Sequence, residues 1–148
     1  MSTADRVSTS RTISRIVPHI LQGVHMDFLA SQNITHTQCL ILIAIGSYRR
    51  VSMKRLASNL HVSTPTATGL VDRLVRGGYL LRTKCAEDRR VVYIELSNRG
   101  RRFVADFQTM VADRWARVLA HLSGAELKQF SALTAKLERK LTQESAQS

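Results

Sequence analysis

Apolar residues recur at three- and four-residue intervals over most of this chain and alternate with polar ones in one short stretch. The first series, Ile13, Ile16, Val17, Ile20, Leu21, Val24 and Phe28, predicts an amphipathic helix within residues 11–30, with Pro18 early in it, in the first turn or at a kink. Residues 1–10 are polar and are expected to fray; 144–148 form the other tail. Thr35-His36-Thr37-Gln38 has the form of a capping box, in which the Thr35 hydroxyl and the Gln38 amide each satisfy an open backbone N–H. The helix it opens, Cys39 to Ile45, is apolar on all sides and is expected in the core. Towards the C-terminus, Phe103, Phe107, Met110, Val111, Trp115, Val118, Leu119 and Leu122 predict a helix of about 25 residues. Another follows Ser123-Gly124, carrying Leu127, Phe130, Leu133, Leu137 and Leu141.

Between Val51 and Gly100 the periods are shorter. Met53, Leu56, Ala57 and Leu60 lie at helical spacing behind Ser52, a good N-cap, and the turn Leu60-His61-Val62 leads to a second N-cap, Ser63. The helix after Ser63 has Pro65 in its first turn, buries Leu70, Val71 and Leu74, and stops at Gly77-Gly78. Its exposed N-terminal face is expected to be Thr64, Thr66, Ala67, Thr68 and Gly69. Leu80 to Lys84 and Val91 to Leu96 then read as two strands, with Val92, Ile94 and Leu96 alternating against Tyr93 and Glu95. Residues 52–76 form a helix-turn-helix and 79–97 a hairpin wing.

A reader of this size folds without residues 11–30 or 98–143. Three long amphipathic helices beside it are best explained by a partner surface, and a second copy of the chain is the cheapest partner. The expected fold is therefore mainly α with a small β wing: a winged helix-turn-helix lobe plus N- and C-terminal dimerisation helices, one domain over 11–143.

Charge sharpens this picture. The 148 residues carry 22 Lys plus Arg against 11 Asp plus Glu, a formal +11. Residues 49–102 hold 13 of the basic and 4 of the acidic residues, or +9, so the excess sits on the helix-turn-helix and wing, where a phosphate backbone would lie. Small hydroxylated residues at a helix start suit entry into a major groove, and an arginine at a wing tip suits a narrow minor groove. Ser63, Thr64, Thr66, Thr68, Arg73, Lys84, Arg89 and Arg90 are the candidate DNA contacts, with Asp88 placed to orient Arg90.

The run STPTATGLVDRLVRGGYLLR, followed by EDRRVVYIELSNRG, resembles the multiple antibiotic resistance regulator (MarR) family of bacterial transcription factors. The resemblance extends from about Arg11 to Gln143 and is most specific at Asp88-x-Arg90 with the trailing Leu96-Ser97-x-x-Gly100. It implies that the second helix of the motif reads the major groove, that Arg90 probes the minor groove and that the terminal helices interlock into a dimer. The implied activity is transcriptional regulation, as a repressor on a pseudo-palindromic operator released by a small-molecule ligand. Gly69 stands where many members carry arginine, and Thr64 where the residue is often basic, so the operator does not follow by analogy.

Other chemistries are less well supported. His19, His25, His36, His61 and His121 lack HxxxH or CxxC spacing, so neither a metal nor another cofactor is expected. The family's ligand pockets imply a different role for His25 and His36, as lining for an effector site. Cys39 reads as a core residue, whereas Cys85 lies among Arg82, Lys84, Arg89 and Arg90 and is the redox candidate. A cysteine-based redox-responsive regulator is one alternative function; a sequence-independent architectural DNA binder is another, and a protein-interaction module a third. No nucleophile motif or glycine-rich phosphate loop appears, so an enzyme is not expected. No apolar run reaches the roughly 20 residues of a membrane span, and the first residues lack the apolar stretch of a signal peptide; the chain is expected in the cytoplasm, without a membrane partner.

Overall fold

The computed structural model describes residues 3–21, 26–48, 50–84 and 91–147. The chain divides into two compact units, Met1–Val111 and Ala112–Ser148. Helix α6, Asn98–Leu119, contributes to both.

The first unit holds α1 (Thr3–Leu21), α2 (Met26–Gln32), α3 (His36–Gly46), β1 (Val51–Ser52), α4 (Met53–Asn59), α5 (Thr64–Arg76), β2 (Leu80–Lys84), β3 (Val92–Leu96) and the first part of α6. Helix α3 is the pillar of its core. Ile41, Leu42 and Ile45 are fully buried, and Leu56, Val71, Leu74, Leu80, Ile94, Phe103, Val104 and Phe107 belong to the same cluster. Burying side chains of this size is worth roughly 1.5–3 kcal/mol each. The capping box at Thr35 is formed in both directions, with Thr35 N–H donating to Gln38 Oε1 at 2.9 Å and Gln38 N–H donating to Thr35 Oγ1 at 3.3 Å.

The sheet is antiparallel in the order β1-β3-β2. Leu80 pairs with Leu96 and Arg82 with Ile94, so the buried residues of β3 face the helices. The third strand, β1, goes beyond the expected hairpin: Val51 pairs with Ile94 and Ser52 with Tyr93.

Helices α2, α4 and α5 share one ending. After each, a residue takes a positive φ: Asn33 at 52°, His61 at 52° and Gly78 at 74°. Crossed backbone bonds close the last turn, as in His61 N–H to Ser58 O (3.0 Å) with Val62 N–H to Ala57 O (3.1 Å). Gly78 N–H to Val75 O (2.9 Å) and Tyr79 N–H to Leu74 O (2.9 Å) repeat the pattern. Asparagine and glycine tolerate this conformation; a histidine holds it at some steric cost.

Three expectations change. Helix α1 begins at Thr3, so residues 3–10 are helical, not frayed; Thr9, Ser10 and Thr12 donate hydroxyl hydrogens to the carbonyls four residues back. Pro18 lies near the C-terminal end of α1 rather than early in the helix. Ala67 is fully buried, so it belongs to the core face of α5 and not to the exposed face.

In the second unit, α7 (Gly124–Gln147) starts from a further capping box. Glu126 accepts from Ser123 N–H at 2.8 Å and from the Ser123 hydroxyl at 2.7 Å, and these bonds hold its carboxyl below its usual titration range. Trp115 and Phe130 meet at 6.5 Å between ring centroids. Leu133, Leu137 and Leu141 along α7 are more than half exposed.

Candidate nucleic-acid interface

Helix α5 is fixed at its start by Ser63. That residue has an extended backbone and its hydroxyl oxygen accepts Thr66 N–H at 3.3 Å. The Ser63 and Thr66 hydroxyls lie 2.8 Å apart, so one hydrogen of the two is used between them. Thr68 donates its hydroxyl hydrogen to Thr64 O at 2.8 Å. In that geometry Thr68 offers only lone pairs: it can accept from a base amino group but cannot donate to a phosphate. Thr64, exposed at the first position of the helix, makes no side-chain hydrogen bond among the described residues. Gly69, Arg73 and Arg76 are also exposed and lie together on one side of the helix; a Cβ built on Gly69 would meet nothing within 4 Å.

The wing is tied to this helix. Asp72 of α5 and Arg82 of β2 form an ion pair at 2.6 Å, and Thr83 donates to Glu95 Oε1 across the hairpin at 3.0 Å. The sequence places Asp72 beside Arg73, yet its partner is ten residues on, so Arg73 keeps its charge free of any ion pair among the described residues. Arg50, next to β1, lies over the Tyr93 ring at 4.5 Å. Lys84 is exposed at the end of β2.

Cys85, Asp88, Arg89 and Arg90 lie outside the described residues, as does His25. His36 is exposed at the first residue of α3. Cys39 is buried, and burial raises its thiol pKa from 9.0 to about 11. Among the described residues no group of three or more His, Cys, Asp or Glu could hold a metal ion, and no helix is long and apolar enough to cross a membrane.

The sequence profile of the MarR family matches residues 34–92, from the residue before the Thr35 cap to the first residue of β3. Over that segment the chain is similar to the MarR family. It is similar to the HTH-type transcriptional repressor MdtR of Bacillus subtilis, 27% identical over 143 residues, covering 93% of this chain and 89% of MdtR. It is also similar to the HTH-type transcriptional regulator SarZ of Staphylococcus epidermidis, 28% identical over 89 residues, which are 60% of this chain and 57% of SarZ; the match thus spans little more than half of that relative. The fold is that of the protein in the S. aureus MepR–DNA complex, with a TM-score of 0.67 at 23% identity, covering 86% of this chain and 96% of that one. A mostly helical chain with a small antiparallel sheet is the winged-helix architecture of MarR proteins.

Two features of this site have no sequence signature. Nothing local pairs Asp72 with Arg82. Nor does any pattern mark Arg99, whose guanidinium donates to Gly77 O at 2.9 Å and lies over the Tyr79 ring at 4.3 Å.

Proposed function

We propose that this chain is a cytoplasmic, homodimeric DNA-binding transcriptional regulator, a repressor that binds a pseudo-palindromic operator and is released by a small phenolic or anionic ligand. The observation that carries the reading is α5 itself. Its capped N-terminal face stands exposed, its C-terminal half carries Arg73, which forms no ion pair among the described residues, and its partner across the Asp72–Arg82 pair is the wing. All of this lies in the segment that holds +9 of the chain's +11. Neutralised phosphates supply much of such an affinity, and base edges supply the choice of sequence.

Thr64 would donate to phosphate or base; Ser63, Thr66 and Thr68 would line the helix start, with Thr68 as an acceptor. Arg73 and Lys84 would take phosphates, and Arg90 would enter the minor groove beside Arg89, oriented by Asp88. Residues 11–143 would act as one domain, the exposed apolar rows of 11–30 and 98–143 meeting those of a second copy. A ligand bound near His25 and His36 would favour a spacing of the two recognition helices that no longer fits successive major grooves. MdtR's description as a repressor and the DNA bound to MepR support the reading.

Footprinting on the intergenic duplex upstream of the chain's own gene tests it. The expected result is a protected region with dyad symmetry, its half-sites about 10 base pairs apart centre to centre. Protection without symmetry, or spread evenly over the duplex, contradicts the dimeric operator and favours an architectural DNA binder.

A further inference from the structure

Residues 97–100 grip the end of α5 at three consecutive positions. Arg99 donates to Gly77 O at 2.9 Å, the Ser97 hydroxyl donates to Gly78 O at 2.6 Å, and Ser97 N–H donates to Tyr79 O at 3.0 Å. Ser97 also caps α6, accepting Gly100 N–H at 3.0 Å, and any Cβ on Gly100 would collide with the Tyr79 carbonyl oxygen. The Arg99 guanidinium covers the Tyr79 ring, and its Cδ lies where it would be 4.0 Å from a Cβ built on Gly78. Tyr79 carries the chain of contacts onward: its hydroxyl donates to Gln32 O at 3.1 Å, and its ring meets Phe103 edge-on at 5.7 Å.

Ser97 and Gly100 are buried and are needed for packing. Arg99 is exposed, and the core does not need it. An exposed arginine gives up rotamer freedom to hold one geometry, and here the geometry it holds is the C-terminal end of α5. A helix of 13 residues is about 20 Å long, so a tilt of about 5° at that end moves the other by nearly 2 Å. Hydrogen bonds to base edges are lost over such a distance.

We propose that Arg99 is the positioning residue of the recognition helix. From the first turn of α6 it clamps the α5 C-terminus, and so sets the angle at which the exposed N-terminal face meets DNA. The proposal rests on the reading of α5 as the DNA-binding helix. Arg99 itself does not touch DNA in this account.

The test uses the full chain, with Arg99→Met, which keeps an apolar stem on Tyr79, and Arg99→Lys, which keeps a donor and the charge. Affinity for the upstream duplex and for a scrambled duplex is measured across a salt series, alongside thermal unfolding of each protein. For Arg99→Met the expected result is a roughly tenfold loss on the upstream duplex, little change on the scrambled one and an unchanged salt slope, with partial recovery in Arg99→Lys. A salt slope reduced by about one, with equal losses on both duplexes, makes Arg99 a phosphate contact and overturns the proposal. Wild-type affinity in Arg99→Met also overturns it. A wild-type protein that fails to prefer the upstream duplex is a different result: the reading of α5 then fails before Arg99 is at issue.

Discussion

Asp72 on α5 and Arg82 on β2 are held 2.6 Å apart, although both side chains keep more than a third of their surface in water. A pair so exposed contributes at most about 1 kcal/mol to folding. Its consequence is electrostatic: it keeps one arginine of the basic face occupied by a carboxylate. Asp72→Asn should lower stability by no more than about 1 kcal/mol in urea unfolding. The same substitution should tighten binding to random duplex at low salt and steepen the salt slope by about one. An unchanged slope would mean that the freed Arg82 stays away from phosphate.

Gly69 gives a pair of effects with opposite signs. A glycine inside a helix costs about 0.5–1 kcal/mol relative to alanine, and nothing lies within 4 Å of the missing Cβ. Gly69→Ala should therefore raise the unfolding free energy by about that amount. It should also weaken binding to the upstream duplex, because the methyl group is added to the face proposed to approach DNA. Stabilisation with unaltered binding would place Gly69 outside the contact.

The turn between α4 and α5 depends on His61 at φ 52°. His61→Gly should be neutral or stabilising, whereas His61→Val should cost about 1–2 kcal/mol, since a β-branched side chain is crowded in this conformation. Thermal unfolding of the two variants distinguishes this from a role for the imidazole, which predicts equal losses.

The parts of the fold legible in the sequence were the local ones. Ser52, Ser63 and Thr35 with Gln38 announce their caps because a cap needs only residues three apart. The β3 alternation of Val92, Ile94 and Leu96 is equally local, and Cys39 reads as core because its neighbours are apolar on all sides. What the sequence hid depends on contacts made at a distance. Strand β1 is two residues long and exists through its pairing with Ile94 and Tyr93, too short for any period to show. Ala67 sits in the sequence among the small residues expected on the exposed face, while the structure turns it to the core. The helical start at Thr3 lacks an apolar stripe and satisfies its hydroxyls on its own carbonyls. Of the site, the capping of α5 could be read in advance; the Asp72–Arg82 pair and the Arg99 clamp join separate elements and could not.

Cys39 should behave as a buried neutral thiol. With its pKa raised from 9.0 to about 11, the folded state holds the proton more tightly than the unfolded chain does. The stability this group contributes is complete below about pH 9 and is lost as the pH rises towards 11. Alkylation of Cys39 in the folded protein near pH 8, followed by peptide mass analysis, should be slow and should become fast in urea. Rapid labelling without denaturant would contradict its burial.

The exposed apolar row of α7 bears on assembly. Leu137 and Leu141 are 56% and 64% exposed, apolar surface of the kind that a protein partner covers. Sedimentation should give twice the chain mass of 16.6 kDa for the wild type and a single chain for Leu137→Glu with Leu141→Glu. A wild-type mass of one chain would exclude the homodimer.

The most direct test of the central claim is the affinity of the purified protein for its own upstream duplex and for a scrambled duplex of equal length, followed across a salt series. The account predicts a preference of roughly 10³ or more for the upstream duplex at physiological salt, with affinity on both falling steeply as salt rises. Equal affinity for the two duplexes, or an affinity indifferent to salt, would contradict it.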